Sequence, residues 1–313
     1  MSTEAQIVEF DPNVPERVRP QTISAAELIT ADLPARERLV EPILPAKGLA
    51  MLYGPRGLGK THVAMGIAWA AASGSSFLKW RAEQPRRVFY VDGEMPAADM
   101  QERLRMTGSS PENLRFLLAD MQDGPLPDLG SPEGQAAIES AWGDRTPELL
   151  VIDNLSSLVG SARDNDVESW SAMQSWLLRL RRMGVSVLLV HHAGKGGQQR
   201  GTSRREDVLD MVLALRRPSD YEPKDGARFE VHIEKARGLF GEATDPFEAH
   251  LRADVAGNPV WSWRPVRDAE FTRAVELFAD GVSASDAAEE LGISRASAYR
   301  LRKRAIVEGH VTE

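Results

Sequence analysis

The sequence contains no cysteine among its 313 residues. Disulfides are therefore excluded, and so is any metal site built on thiolates; the absence fits a reducing compartment. Long apolar runs are missing too. The longest, residues 63–72, is too short to cross a bilayer, and its neighbours mark it as a buried helix. The first residues, MSTEAQIVEFD, lack the basic-then-apolar pattern of a secretory signal. The expectation is a cytoplasmic protein with no membrane partner. An excess of basic charge is absent as well. The net charge of −8 argues against a protein that coats nucleic acid by bulk charge alone. Basic residues are instead concentrated: RASAYRLRKR, residues 295–304, holds five of them and no acid. Any duplex contact is expected there.

With 42% hydrophobic residues, the chain is long enough for one large domain and a small one. Prolines recur near the start (Pro12, Pro15, Pro20, Pro34, Pro42), so residues 1–45 read as an arm with one short helix after Ser24. From Gly48 onward strand and helix patterns alternate. LAMLYG, RVFYVDG, LLVIDNL and VSVLLVHH are nearly all apolar, as expected of parallel strands buried on both faces. DMVLALRR and RFEVHIEK follow more closely and are expected to add antiparallel strands. Residues 167–183 carry Trp170, Met173, Trp176, Leu177 and Leu180 on one helical stripe. The fold class is α/β with a mostly parallel central sheet. Around AGNPVWSWRPV the pattern lapses into a turn and a proline. Residues 46–265 are therefore assigned to the α/β domain and 266–313 to a small all-helical one.

The stretch GPRGLGKT follows a buried strand and precedes a helix. It comprises Gly54, Pro55, Arg56, Gly57, Leu58, Gly59, Lys60 and Thr61, with His62 opening the helix. It fits the pattern of a phosphate-binding loop. Glycines let the backbone curl until successive N–H groups point inward, and the helix N-terminus adds its dipole. Lys60 would neutralise the β and γ phosphates, and Thr61 would hold Mg²⁺ through its hydroxyl. The expected ligand is a nucleoside triphosphate, ATP with Mg²⁺.

Further strand ends supply the remaining groups. Asp153 closes ELLVIDN, where a carboxylate can hold the metal's water shell; the competing reading is a cap on the next segment. Asp92 and Glu94 close RVFYVDGEMP. Glu94 is placed to orient an attacking water, against the alternative of a solvated loop acid. His191 and His192 end VLLVHH. Adjacent strand residues point to opposite faces and no third ligand is evident, so zinc is disfavoured. His192 is assigned as the group that senses the γ-phosphate, with a purely structural histidine as the alternative. DNDVE, residues 164–168, lacks the glycine and spacing of a calcium loop.

Taken in order, GPRGLGKT, FYVDGEMP, LLVIDNLSSL, LLVHHAGKG, RGTSRREDVLDMVLAL and VHIEKARGLFG resemble the RecA-like ATPases related to the hexameric replicative helicase RepA and, more distantly, DnaB. The resemblance runs from about residue 24 to 246. It implies a RecA-like P-loop core, a homo-oligomer that is often a hexamer, and single-stranded DNA in the ring channel. It also implies catalysis completed across subunit interfaces. Arg200, opening RGTS, matches the family's position for a finger reaching a neighbouring nucleotide. Lys235 and Arg237 of EKARG match the Lys-x-Arg finger. GKGGQQRG and SARDND lie where family loops face the channel.

The end of the chain reads as three short helices similar to the helix-turn-helix of resolvases and many bacterial regulators. Phe271, Val275, Leu277 and Phe278 give the first an apolar face. Ser283 or Ser285 caps a second that carries Ala287, Ala288 and Leu291, and Gly292 makes the turn. Ser294 caps the third. The third helix would enter the major groove with Arg295, Ser297 and Ala298 near base edges. Tyr299, Arg300, Arg302, Lys303 and Arg304 are candidates for phosphate contacts. The alternative is a helical bundle used for ring contacts.

Overall fold

The computed structural model describes residues 22–312 apart from 34, 106, 108–109, 160–166, 194–206 and 256, with backbone alone for 167–169 and 267–268. Arg200 and the GKGGQQRG and SARDND stretches lie outside the described residues. The chain divides at Arg36 into two compact units. In the first, helix α1 (Ala25–Thr30) starts at Ser24, whose side chain accepts from Glu27 N while Glu27 returns a bond to Ser24 N. This reciprocal cap is why so short a helix forms where the sequence predicts it.

The second unit begins with a small hairpin, β1 (Arg38–Val40) and β2 (Leu44–Pro45). Leu39, Val40, Ile43 and Leu44 are buried in the main core, so the last residues of the stretch read as an arm are packed against the sheet. Their apolar run is short and broken by proline, which hid it. Next come β3 (Leu49–Gly54), α2 (Lys60–Ser73), and a second hairpin of β4 (Ser76–Phe77) and β5 (Trp80–Arg81). Then follow β6 (Val88–Asp92), α3 (Ala97–Arg105), β7 (Leu114–Leu118), α4 (Pro132–Ala141), β8 (Leu149–Asp153), α5 (Leu155–Leu158), α6 (Val167–Arg182) and β9 (Ser186–His192). Strands β10 (Met211–Arg216), β11 (Arg228–Ala236), β12 (Phe247–Ala253) and β13 (Pro259–Pro265) lead to α7 (Val266–Ala279), α8 (Ala284–Glu290) and α9 (Arg295–Val307).

Among the described residues, nine strands form one sheet in the order β13-β12-β11-β10-β3-β9-β8-β6-β7. From β10 to β7 every pairing is parallel. The four apolar runs are continuous because both faces are covered. In β3, Ala50 and Leu52 join the core under α2, while Leu49, Met51 and Tyr53 join the core under α6. Strand β10 departs from expectation: it pairs parallel with β3, and antiparallel order begins only at β11. The AGNPVWSWRPV stretch is not a lapse but the turn and second strand of a hairpin, since β12 and β13 pair antiparallel. No helix among the described residues is long and apolar enough to cross a membrane.

The C-terminal helices have their own core of Phe271, Ala274, Phe278, Ala287, Leu291 and Ala305, yet they belong to the same compact unit as the sheet. Ion pairs tie α7 to the sheet. Arg273 of α7 is 7% exposed and donates to Glu248 Oε2 of β12 at 2.8 Å. Arg228 of β11 reaches the same oxygen at 3.2 Å, and Arg264 of β13 donates to Oε1 at 2.9 Å. Asp220 accepts two bonds from Arg228 at 2.9 Å. Burial alone would push the Glu248 carboxyl up, but Arg228 and Arg264 hold it below the ordinary range. A carboxylate this well surrounded compensates its own desolvation, whereas one with a missing partner would not.

Candidate functional site

The glycine loop leaves the end of β3 in the middle of the sheet. Gly57 and Gly59 adopt φ of 72° and 96°, the left-handed region that lets the chain curl and that side chains disfavour. At Gly59 a Cβ would also stand 3.0 Å from the Phe229 ring. Gly59 precedes α2 without a side-chain cap, so the first-turn N–H groups are directed into the loop. Leu58 is buried and anchors the loop, Arg56 is exposed, and Gly54, Pro55, Thr61 and His62 frame it.

Lys60 is 6% exposed, and its Nζ donates to the Pro55 carbonyl at 2.8 Å. Burial pulls its pKa down to about 8, against the opposing pull of Asp153 and Glu94. A buried ammonium folded back on its own loop is matched to an anion entering that loop.

Asp153, at the end of β8, is buried and accepts from Tyr90 Oη at 2.7 Å. Burial raises its carboxyl to about 6; hydrogen bonds from Tyr90 and Thr61 and the charge of Lys60 oppose that rise, while Asp92 adds to it. Thr61 and Asp153 thus stand together as a hydroxyl and a carboxylate, an all-oxygen pair suited to Mg²⁺. Tyr90 was missed by the sequence reading. Its signal was a hydroxyl inside an otherwise apolar strand, two residues before Asp92 and so on the same face.

Asp92 directly pairs with Asp153 in the β6–β8 register. Its Oδ1 accepts from Glu94 N at 2.8 Å and Met95 N at 2.6 Å, so its work is to shape the turn that carries Glu94. The Glu94 side chain is exposed, with Oε2 3.9 Å from His192 Nε2. His192 pairs with Gly54 across β9 and β3, which sets it beside the loop. His191 is fully buried and level with Tyr53, on the opposite face. The sheet therefore brings Lys60, Thr61, Glu94, Asp153 and His192 to the ends of four neighbouring strands.

Of the finger candidates, Lys235 and Arg237 are described, and they lie elsewhere. Lys235 pairs with Val212, and Ala236 with Met211, at the start of β10. Since β10 runs parallel to β3, this is the end of the sheet opposite the loop. Arg237 is exposed; its Nη2 donates to Asp207 O at 2.5 Å and its N to Asp210 O at 2.8 Å. Neither Lys235 nor Arg237 is placed to act on a nucleotide in its own loop.

In α9, Ser294 accepts from Ser297 N at 3.1 Å and caps the helix. Gly292, at φ 65°, makes the turn before it. Ala298 and Ala305 face inward, while Arg295, Tyr299, Arg300 and Lys303 are exposed and Arg302 is half-buried. Arg304 is engaged within the bundle: its guanidinium lies 3.8 Å over the Phe271 ring and its Nε donates to Glu308 at 2.7 Å. Ser297 also accepts from Arg300 Nη2 at 3.1 Å.

Comparison with known proteins identifies two parts of this chain. A family described as an AAA domain matches residues 14–198, more than half the chain, and one described as a homeodomain-like domain matches residues 272–310. The chain is similar to the DNA repair protein RadA of Brucella abortus (strain 2308), at 25% identity over 172 residues, 53% of this chain. That match spans 33% of the relative's length. Among solved structures, a KaiC-like protein from the archaeon Pyrococcus horikoshii OT3 aligns with a TM-score of 0.51 at 18% identity. The alignment covers 74% of this chain and 99% of that one, a likeness of fold.

Proposed function

The chain belongs to the AAA domain family, as a RecA-like ATPase with a C-terminal helix-turn-helix, and from that premise we propose that it is an oligomeric, Mg²⁺-dependent ATP hydrolase acting on DNA. The more specific reading is a replicative helicase of the RepA type, from a plasmid or phage, working as a hexamer around single-stranded DNA. The observation that carries the hydrolase is the convergence of Lys60, Thr61, Glu94, Asp153 and His192 on one edge of the sheet.

In this reading the loop N–H groups and Lys60 bind the phosphates, and Thr61 and Asp153 hold the metal. Mg²⁺, when bound, neutralises the β and γ oxygens and supports charge in the transition state. Glu94 orients the attacking water, its backbone fixed by Asp92. His192, 3.9 Å from Glu94, links the state of the γ-phosphate to that acid. Arg200, Lys235 and Arg237 act on a neighbouring protomer's nucleotide, where a guanidinium fork spreads over the γ-phosphoryl oxygens.

The far-end position of Lys235 and Arg237 gives a direct test. A Lys60→Ala protein and an Arg237→Ala protein should each be inactive, and a mixture should regain hydrolysis as composite sites with both intact halves form. Mixed oligomers that stay inactive for every finger variant would end the trans assignment.

A second reading is favoured by α9, whose exposed basic face suits duplex rather than single-stranded DNA. In it, nucleotide state governs assembly on a duplex site without strand separation. ATPase rates without DNA, with single strands and with duplex, beside a fork-unwinding assay, separate the two. Stimulation by single strands together with unwinding supports the helicase; stimulation by duplex alone supports the switch.

Both readings place duplex contacts on α9. Arg300→Ala combined with Lys303→Ala should weaken binding to a mixed-sequence duplex by about tenfold at low salt. It should also lower the slope of log affinity against log salt by roughly two, one for each lost phosphate contact. Arg304→Ala, which removes the stack on Phe271, should leave that slope unchanged. A slope insensitive to the double substitution would take duplex binding away from α9.

A further inference from the structure

Two carboxylates stand side by side where β6 and β8 end, since Asp92 and Asp153 are partners in register. They are held in different ways. Asp92 Oδ1 is committed to the backbone, accepting from Glu94 N and Met95 N. Asp153 is instead gripped by a side chain, with Tyr90 Oη donating to its Oδ2 at 2.7 Å. Burial, and after it the charge of Asp153, pushes the Tyr90 pKa well above its ordinary value. At neutral pH the hydroxyl is therefore the donor.

The grip comes from a firm base. Tyr90 is 0% exposed and belongs to the core under α2. Its register partner on β7 is Phe116, whose ring centroid lies 5.4 Å from its own. A ring packed this closely has little freedom to swing its hydroxyl elsewhere. A hydroxyl this deep also needs a partner, and Asp153 supplies it. The apolar surroundings of the ring would accept phenylalanine, so the effect of the hydroxyl falls on Asp153.

That effect concerns which ion the carboxylate suits. Ca²⁺ accepts a carboxylate through both oxygens in a loose shell. Mg²⁺ demands a compact octahedron, which the narrow bite of a two-oxygen carboxylate fits badly. A two-oxygen grip needs Oδ1 and Oδ2 turned toward the ion together. A hydroxyl bound to Oδ2 opposes that turn.

We propose that Tyr90 is a positioning residue for the metal: by holding Oδ2 of Asp153 it makes the carboxylate present one oxygen, and so favours Mg²⁺ over Ca²⁺. The proposal rests on the reading of Lys60, Thr61 and Asp153 as a nucleotide and metal site. It assigns Tyr90 no contact with the nucleotide or the reacting atoms.

Tyr90→Phe removes the hydroxyl and keeps the ring beside Phe116. Calorimetry with a non-hydrolysable ATP analogue, in excess Mg²⁺, in excess Ca²⁺ and in EDTA, reads the consequence. The intact chain should bind the Mg²⁺ complex more tightly than the Ca²⁺ complex. In Tyr90→Phe the ratio of those affinities should fall about fivefold or more, while binding in EDTA stays unchanged and reports an intact loop. Phe116→Leu loosens the ring without removing the hydroxyl and should lower the same ratio about twofold, so the test stands even where Tyr90→Phe folds poorly. An unchanged ratio in the folded variants overturns the proposal, as does an intact chain without preference for Mg²⁺. An equal loss in Mg²⁺, Ca²⁺ and EDTA also overturns it, since Tyr90 would then only support the fold. If the intact chain binds the analogue under none of these conditions, the reading of the site itself fails.

Discussion

Lys60→Ala should leave the protein folded and unable to bind ATP, with affinity reduced by about three orders of magnitude. The buried ammonium is placed by the loop itself, folded onto the Pro55 carbonyl at 2.8 Å. Arg56, the neighbouring cation, is exposed. Removing a charged donor from a dry phosphate site forfeits charge-assisted bonds that water replaces poorly. Thermal unfolding should change little, since burial already disfavours the lysine's charge in the free protein. The same fact sets a pH dependence. With the free-state pKa pulled down to about 8 and the phosphates raising it on binding, binding takes up a proton above that pH. Affinity should be flat below about 8 and fall as pH rises, by about tenfold per unit. Equilibrium titration of ATP from pH 6 to 9.5 reads both effects. Tight binding by Lys60→Ala would remove the loop from the nucleotide site.

Glu94→Gln should bind ATP normally and turn it over about a hundredfold or more slowly, the range expected when a positioned base is lost. The substitution keeps shape and leaves the turn intact, because Asp92 holds that turn through the backbone of Glu94 and Met95. A loss in kcat without a loss in binding distinguishes an acid that orients water from one that props the loop. Single-turnover hydrolysis with purified variant is the measurement; an unchanged rate would move the role to another group.

Much of this was legible because the sequence signals were local. The four buried strands are uninterrupted apolar runs, and the loop is a contiguous pattern. A short helix does follow Ser24, Ser283 is the one of the two candidate serines that caps α8, and Ser294 caps α9 as expected. What was not legible depends on pairing across distance. Strand β13 alternates tryptophan with serine and arginine between two prolines, which reads as irregular until β12 lies beside it. The direction of β10 shows in its pairing with β3 and not in its own residues. Tyr90 looks like one more core aromatic; only the neighbouring strand brings Asp153 within reach of its hydroxyl. Arg228, Glu248 and Arg273 carry charges that default to the surface in any local reading. Nothing near any of them in the chain announces the others.

That buried cluster bears on how such a chain can be recombined. A cut at Pro265 hands Glu248 to one product and Arg273 to the other, each stripped of a partner it needs while buried. Helices α7 to α9 grafted alone onto a foreign carrier would bring a cation seeking an acid the carrier does not offer. The acids and arginines concerned run from Asp220 to Arg273. The piece that keeps all these pairs together is therefore longer than the three helices: it begins ahead of Asp220 and takes β11, β12 and β13 with it.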